Sequence, residues 1–369
     1  MDLPTTEQAE APIPDEQAIN VALLVDGDYL YRFRSLFAHM LVGLVDQPIT
    51  VTLVSPDPQV AQSLPVGPAK VVEFKVPFWP WRYGRALDDL ADTLRTERVN
   101  LIHACSGRSC WLAVDLARKL DIPFLITFNG LFQEECFLRV DRRLCGRLIG
   151  ISEPICATLR DLYGKTNHSI EMIRPGCFIR GRTTDVPRPN TIVSVGNLTH
   201  GSGYDVLLRA VLDIRDRGHE LLTVIFGRGP LEHSYHRWVN KHGLGSQVTF
   251  LPVLSNWEDV LRDVDFYVQP GSFNSLHAGP YEALAHGCPI LAADDSALDI
   301  LADGRTGYTF QTGNPRALAD RLEEWLAGRL NWQELSAQSY MFARSELSLA
   351  RSIEKLSACY RAVLAGTHV

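Results

Sequence analysis

From Asn20 onward, short apolar runs alternate with longer amphipathic segments, and after a polar break in mid-chain the alternation begins again. Runs too apolar to leave either face in water, separated by one-sided helices, build a parallel sheet between helix layers. In the first series strands are predicted over 21–25, 50–54, 71–74, 100–104, 124–127 and 147–151, with helices between them, notably 108–120 and 154–163. In the second, strands are predicted over 191–195, 221–226, 248–250, 265–268 and 289–292, with helices over 204–217, 231–242, 279–286 and 316–326. The fold class expected is therefore α/β, with two Rossmann-like doubly wound parallel-sheet domains.

The length agrees, since 369 residues exceed one ordinary core and suit two domains of roughly 150–180 residues each. Residues 1–18 hold five acidic side chains, three prolines and no Lys or Arg, and are expected to be a disordered acidic tail. An N-terminal domain is expected over 19–179. The polar, two-proline stretch 180–190 reads as its linker to a C-terminal domain over 191–347. The last amphipathic helix, predicted over 348–365, has no strand after it, so 348–369 is free to pack back on the first domain.

Hydrophobic residues at 46% and charged residues at 21% permit a sizeable core. A net charge of −7 supplies no basic field, which argues against nucleic acid as a partner and means that any phosphate must be held locally. The eight cysteines, at 105, 110, 136, 145, 156, 177, 288 and 359, form no CxxC pair and read as packed, reduced thiols rather than metal ligands. With no apolar run of eighteen residues and no basic-then-apolar leader, the expected location is cytoplasmic, at most peripheral to a membrane.

The second half carries motifs in a fixed order: Val195-Gly196-Asn197-Leu198 with Gly203 after it, Phe226-Gly227-Arg228-Gly229-Pro230-Leu231, Val248-Thr249-Phe250, and Asp265-Phe266-Tyr267-Val268-Gln269-Pro270. Tyr281-Glu282-Ala283-Leu284-Ala285-His286-Gly287-Cys288-Pro289-Ile290 closes the set. In the first half Leu101-Ile102-His103-Ala104 precedes Ser106-Gly107-Arg108, and Ile122-Pro123-Phe124-Leu125-Ile126-Thr127-Phe128-Asn129-Gly130 and Ile149-Gly150-Ile151-Ser152-Glu153 follow. Over residues 20–365 the chain thereby resembles the retaining glycosyltransferases of family four (glycosyl transferases group 1), with degenerate donor-site motifs.

That resemblance implies the GT-B fold, two Rossmann-like domains facing a central cleft, with a nucleotide sugar on the C-terminal domain and an acceptor on the N-terminal one. It implies transfer of a hexose-type sugar to a saccharide or lipid-linked acceptor, with retention and without a metal or other cofactor, as in the making of cell-envelope polysaccharide. Loops at the ends of parallel strands lead into helix N-termini, whose free N–H groups and positive dipole end favour a diphosphate. Gly196, Gly227 and Gly229 would let backbone approach it, and Asn274, Ser275, Leu276 and His277 would line a second such loop. Glu282 stands where the family holds the nucleotide ribose.

The resemblance breaks at four positions. The family's first glutamate is Asn274 here, an amide that bonds sugar hydroxyls but cannot stabilise positive charge at the reacting carbon. Its phosphate-gripping Arg and Lys are Asn197 and Ser202. Two charge-assisted bonds lost amount to about 3–6 kcal/mol, about a hundredfold to ten-thousandfold in binding, unless something replaces them. Asn129 stands in place of a histidine near the reacting sugar. Arg228 is a candidate replacement cation, while His200 and His277 add charge only when protonated. Two readings stay open: a working transferase whose reacting centre holds Asn274 and Asn129, or a glycosyltransferase-like binding protein that has lost turnover.

Acceptor contacts are expected from Gly27 and Asp28 after the first strand, from Arg32 on the helix that follows, and from Ser106 and Arg108 at a strand-to-helix turn. Asp26 and Asp28 have metal-pair spacing but sit on a strand where a GT-B fold has no metal site. Residues 77–83 pack four aromatics and Arg82 into a proline-containing loop, suited to stacking on a sugar, dipping into a membrane surface or capping a small core. His103, inside an apolar strand, reads as a satisfied core histidine. Gly201-Ser202-Gly203 lacks the third glycine of a dinucleotide fingerprint, which disfavours hydride transfer.

Overall fold

A computed structural model describes residues 18–65, 67, 69–130, 143–164, 169–181, 190–253, 257–271, 276–295 and 298–366. The tail to residue 17, linker residues 182–189, Cys136 and two candidate site residues, Asn274 and Ser275, lie outside the described residues.

The first half forms β1 (Ile19–Leu24), β2 (Ile49–Ser55), β3 (Lys70–Glu73), β4 (Leu101–Ala104), β5 (Phe124–Phe128), β6 (Cys145–Gly150) and β7 (Ile170–Met172). They make one sheet in the order β3-β2-β1-β4-β5-β6-β7, every pairing parallel. The second half forms β8 (Thr191–Val195), β9 (Leu222–Phe226), β10 (Val248–Leu251), β11 (Phe266–Gln269), β12 (Ile290–Ala293) and β13 (Gly307–Phe310), in the parallel order β10-β9-β8-β11-β12-β13. Continuous burial along β4, β6, β8, β11 and β12 explains their mainly apolar sequences, interrupted only by His103, Arg147, Thr191, Ser194 and Gln269, because helices cover both sheet faces.

The helices are α1 (Gly27–Val45), α2 (Pro58–Gln62), α3 (Pro80–Thr96), α4 (Cys110–Leu120), α5 (Glu153–Tyr163), α6 (Tyr204–Asp216), α7 (Glu232–Lys241), α8 (Gly279–Ala285), α9 (Pro315–Leu326), α10 (Trp332–Glu346) and α11 (Leu349–Leu364). Strands β7 and β13 and helix α10 were not expected from the sequence. Residues 77–83 are not one loop either: Pro80 is the first residue of α3, where its missing N–H costs nothing. The helix expected from residue 108 starts instead as a short 3-10 turn, Gly107–Ser109, before α4.

Strand order reverses between β1 and β4 in one sheet and between β8 and β11 in the other. At such switch points the loops leave in opposite directions and open a crevice beyond the strand ends, where ligands of α/β proteins sit. The final helix α11 packs on α1, with Ile353, Leu356, Tyr360 and Val363 buried in one cluster with Val21, Leu23, Phe37 and Leu41. Another apolar cluster joins the halves directly, from Phe33 and Leu36 to Leu276, Ala278 and Tyr281. Among the described residues no helix is long and apolar enough to cross a membrane.

Candidate functional site

Helix α1 starts where Asp26 caps it, its carboxylate accepting the Tyr29 N–H at 2.9 Å and the Ser106 hydroxyl. From there α1 runs between the two halves with a different cavity on each side. Asp28, Tyr31, Arg32 and Ser35, spaced to share one face, line a cavity of about 140 Å³. Tyr29, Phe33, Leu36 and Met40, on another face, line a second cavity of about 60 Å³. Phe33 departs from helical geometry, with φ −119° and ψ 19°.

The larger cavity lies at the switch point of the second sheet. Val195, Gly196, Asn197 and Thr199 line it from the end of β8, Gln269 and Pro270 from the end of β11, and Ser202 and Tyr204 from the entrance to α6. The smaller cavity lies over the ends of β4, β5 and β6, lined by His103, Thr127, Asn129 and Ile149 among others. Asn129 is thus walled off from Gly196, Asn197, Ser202 and His277 by α1, and its side-chain amide donates to the Cys105 carbonyl at 2.5 Å.

Arg32 crosses between the halves. Its guanidinium donates to the Leu276 carbonyl, 3.0 Å from Nε, and reaches Asp28 at 3.4 Å, while its own carbonyl accepts the Ala278 N–H at 2.9 Å. Arg34, which donates to Ser63 Oγ at 2.9 Å, lines the same cavity. Two cations from the first half therefore share the cavity wall with Asn197 and Ser202, the positions where the second half lacks them. Sequence reasoning placed Arg32 with the acceptor; in the structure it lines the cavity that holds Asn197 and Ser202.

Gly227 and Gly229 do not face the cavity. A Cβ on Gly227 would lie 2.0 Å from the Gly196 carbonyl oxygen and one on Gly229 2.4 Å from that of Leu198, so their smallness admits a neighbouring loop rather than a phosphate. The two loops are stitched by the Gly196 N–H to Phe226 and the Leu198 N–H to Arg228, both backbone bonds. Arg228 is exposed and outside the cavity, although its backbone meets the Tyr31 hydroxyl. Gly27 is a helical residue in open space, not a tight turn. Ser106 is occupied by Asp26 and by the Ser109 N–H at 3.3 Å, and Arg108 is exposed beyond both cavities.

His277 is buried on the cavity wall and held neutral, pushed down to about 3 by burial and then by the Arg32 charge. Its Nδ1 accepts the Gly279 N–H at 3.0 Å, which leaves Nε2 to donate to the Tyr267 hydroxyl at 3.2 Å. It orients the entrance to α8 and supplies no charge. His103 is a satisfied core histidine, with Nδ1 2.7 Å from the Tyr360 hydroxyl and Nε2 2.8 Å from Thr127 Oγ1.

Glu282 is 1% exposed and does not reach the cavity; Ser35 and His39 of α1 lie over it. Burial pushes its carboxyl up to about 8, with the nearby Ser35 hydroxyl opposing the rise. His39 Nδ1 is 3.6 Å from Glu282 Oε1, yet burial and then Arg180 push that imidazole down to about 4.

Two families match the chain, Glycosyltransferase Family 4 over residues 36–177 and Glycosyl transferases group 1 over residues 178–342. The chain belongs to the family-four glycosyltransferases of GT-B fold. It is 28% identical over 214 residues to D-inositol 3-phosphate glycosyltransferase of Rhodococcus erythropolis (strain PR4 / NBRC 100887), a match that covers 52% of this chain and 48% of that one. It is 22% identical over 187 residues to the lipopolysaccharide core biosynthesis mannosyltransferase LpcC of Rhizobium leguminosarum bv. viciae, covering 49% of this chain and 53% of the relative. The matched stretch thus spans about half the length of these curated relatives. In fold the chain is similar to a glycosyltransferase from Rickettsia africae ESF-5, with TM-score 0.75, 14% identity and coverage of 95% and 100%. It is also similar to Anabaena HepE in complex with UDP and glucose, with TM-score 0.77, 14% identity and coverage of 92% and 98%.

For a family-four chain the placement is coherent in outline: the cavity opens at the strand ends of the second sheet, against the first domain. Its wall carries backbone amides, hydroxyls and arginines, groups suited to a diphosphate and sugar hydroxyls.

Proposed function

We propose that the chain transfers a hexose-type sugar from a nucleotide sugar to a saccharide or lipid-linked acceptor, with retention and without a catalytic metal. The observation that carries this reading is the 140 Å³ cavity, where Gly196, Asn197 and Ser202 of the second sheet's loops meet Arg32 and Arg34 of α1. In this reading the donor diphosphate lies at the entrance to α6, and the two arginines supply the charge missing at Asn197 and Ser202. Anabaena HepE, crystallised with UDP and glucose on a similar fold, supports the donor class.

Ser35 lines the cavity beside Glu282, so a ribose would meet that carboxylate once α1 moves outward. Asn129 and Asn274 are amides and take no proton, so the acceptor's proton passes to an oxygen of the departing diphosphate. The acceptor oxygen bonds the anomeric carbon on the face from which that diphosphate leaves. Asp26 and Asp28 are committed to capping α1 and to Arg32, which supports a metal-independent transfer. Peripheral contact with a membrane would use Phe78, Trp79 and Trp81, which are exposed beside Arg82.

Incubation with UDP-, GDP- and ADP-sugars, following nucleoside diphosphate release, tests the reading. Release with an acceptor and an NMR-assigned product of unchanged anomeric configuration are expected. Binding without release would leave a binding protein, and neither binding nor release with any donor would end the proposal.

A further inference from the structure

Three side chains from distant parts of the sequence converge behind the cavity: His39 from α1, Cys177 from the segment after β7, and Glu282 from α8. Their ligand atoms all lie within 4.8 Å of one another, and His39 Nδ1 stands 3.6 Å from Glu282 Oε1. All three residues are buried, with exposures of 7%, 1% and 1%. Neither His39 Nδ1 nor Glu282 Oε1 has a partner within hydrogen-bond geometry, although both are shut away from solvent with the Ser35 hydroxyl near Glu282 and the Gly176 backbone near His39. Cys177 forms no disulfide. Buried polar atoms are rarely left this way, and each one calls for an unseen partner.

We propose that His39, Cys177 and Glu282 form a zinc site that pins the first helix to the C-terminal domain. An imidazole, a thiol and a carboxylate together match zinc, whereas calcium and magnesium demand oxygen cages. In tetrahedral zinc sites neighbouring nitrogen, oxygen and sulfur ligands lie about 3.3–3.6 Å apart. The His39–Glu282 pair already has that spacing, and Cys177 needs to close by at most about 1.5 Å. On binding, zinc replaces the thiol proton, and any proton on Glu282, which pass to water.

The site is a clamp between domains rather than part of the transfer chemistry. Residues 39, 177 and 282 have no metal-ligand spacing in sequence, and the fold brings them together. If Glu282 is also the ribose carboxylate, the ion and a nucleotide exclude one another at that oxygen.

The test uses the full chain, freed of metal with a chelator and titrated with Zn²⁺ and with Co²⁺, and needs no sugar nucleotide. Its outcome is therefore separable from that of the transfer assay. The expected result is one zinc per chain by elemental analysis, and a Co²⁺ form with a thiolate-to-metal band in the near ultraviolet. Cys177→Ser should abolish that band, and His39→Ala should weaken zinc binding by more than the about 10- to 100-fold that an outer-shell loss costs. Zinc binding unchanged in both folded variants would overturn the site. So would wild-type protein that takes up no zinc or shows no thiolate band with cobalt, a result that decides the matter even where a variant fails to fold.

Discussion

The carbonyl oxygen of Arg32 accepts a 2.9 Å hydrogen bond from the N–H of Ala278, just ahead of α8. A backbone bond between residues so far apart in the chain fixes α1 against the second domain whatever the side chain at 32 does. The guanidinium is therefore open to substitution without releasing the helix.

Arg32→Ala should weaken nucleoside diphosphate binding by about 10- to 150-fold, the equivalent of one charge-assisted hydrogen bond of about 1.5–3 kcal/mol. Arg32→Lys should fall between wild type and Ala, since it keeps the charge but not the fork that grips the Leu276 carbonyl. Isothermal titration with the preferred nucleotide measures both. Equal affinity for all three proteins would remove Arg32 from the donor site.

Two glycines should respond in opposite directions. Gly203 sits at φ +78°, and a Cβ there would lie 2.1 Å from the Pro270 carbonyl oxygen, so Gly203→Ala should cost about 2 kcal/mol or more. Gly27, helical and in open space, should gain about 0.4–1 kcal/mol on conversion to Ala. Urea unfolding of the pair checks this; a destabilised Gly27→Ala would contradict the helical, unobstructed placement of that residue.

Acid should loosen the fold through its buried histidines, offset in part by the Glu282 carboxyl, whose raised affinity for protons works the other way. Burial holds His103 and His277 neutral, each pushed down to about 3, with Arg32 adding to the effect at His277. In the unfolded chain both take a proton near the ordinary histidine value of about 6.5. Below that pH the unfolded state binds more protons, and each histidine removes about 1.4 kcal/mol of stability per pH unit until the folded form also protonates. Melts between pH 7 and pH 5 should show this slope, and His103→Gln should flatten it. A midpoint independent of pH in that interval would contradict the burial of both rings.

The aromatic cluster at the start of α3 offers a direct surface test. Phe78 and Trp81 are 87% and 72% exposed, and Trp79 stacks on Trp81 with centroids 4.7 Å apart. If they enter a bilayer interface, replacing Phe78 and Trp81 with Ser should lower binding to anionic vesicles by about tenfold or more. Cosedimentation unaffected by the double change would assign the cluster elsewhere.

The strands buried on both faces were readable in the sequence because burial leaves a short, mainly apolar run, as in Ile290–Ala293. The strand Ile170–Met172 was not, being three residues long with Glu171 at its centre and no fully buried position. Gly307–Phe310 opens on a glycine and is only half-buried along its middle, and Trp332–Glu346 mixes polar and apolar residues without a clean stripe. At the site, residue types were legible and their directions were not. Gly227 and Gly229 look the same in sequence whether they admit a phosphate or, as here, a neighbouring backbone. The meeting of residue 32 with residues 276 and 278, and of residue 39 with residue 282, depends on how two domains dock, which no local pattern encodes.

The helix Gly27–Val45 has a chamber on either flank and a break in its geometry at Phe33, which lines the smaller one. A rod placed like this is a shared partition: any sideways tilt that enlarges one room shrinks the other. Filling the chamber beside Asn197 should therefore be felt at Asn129 with no contact between the two occupants, so that order of arrival is written into the position of a single wall.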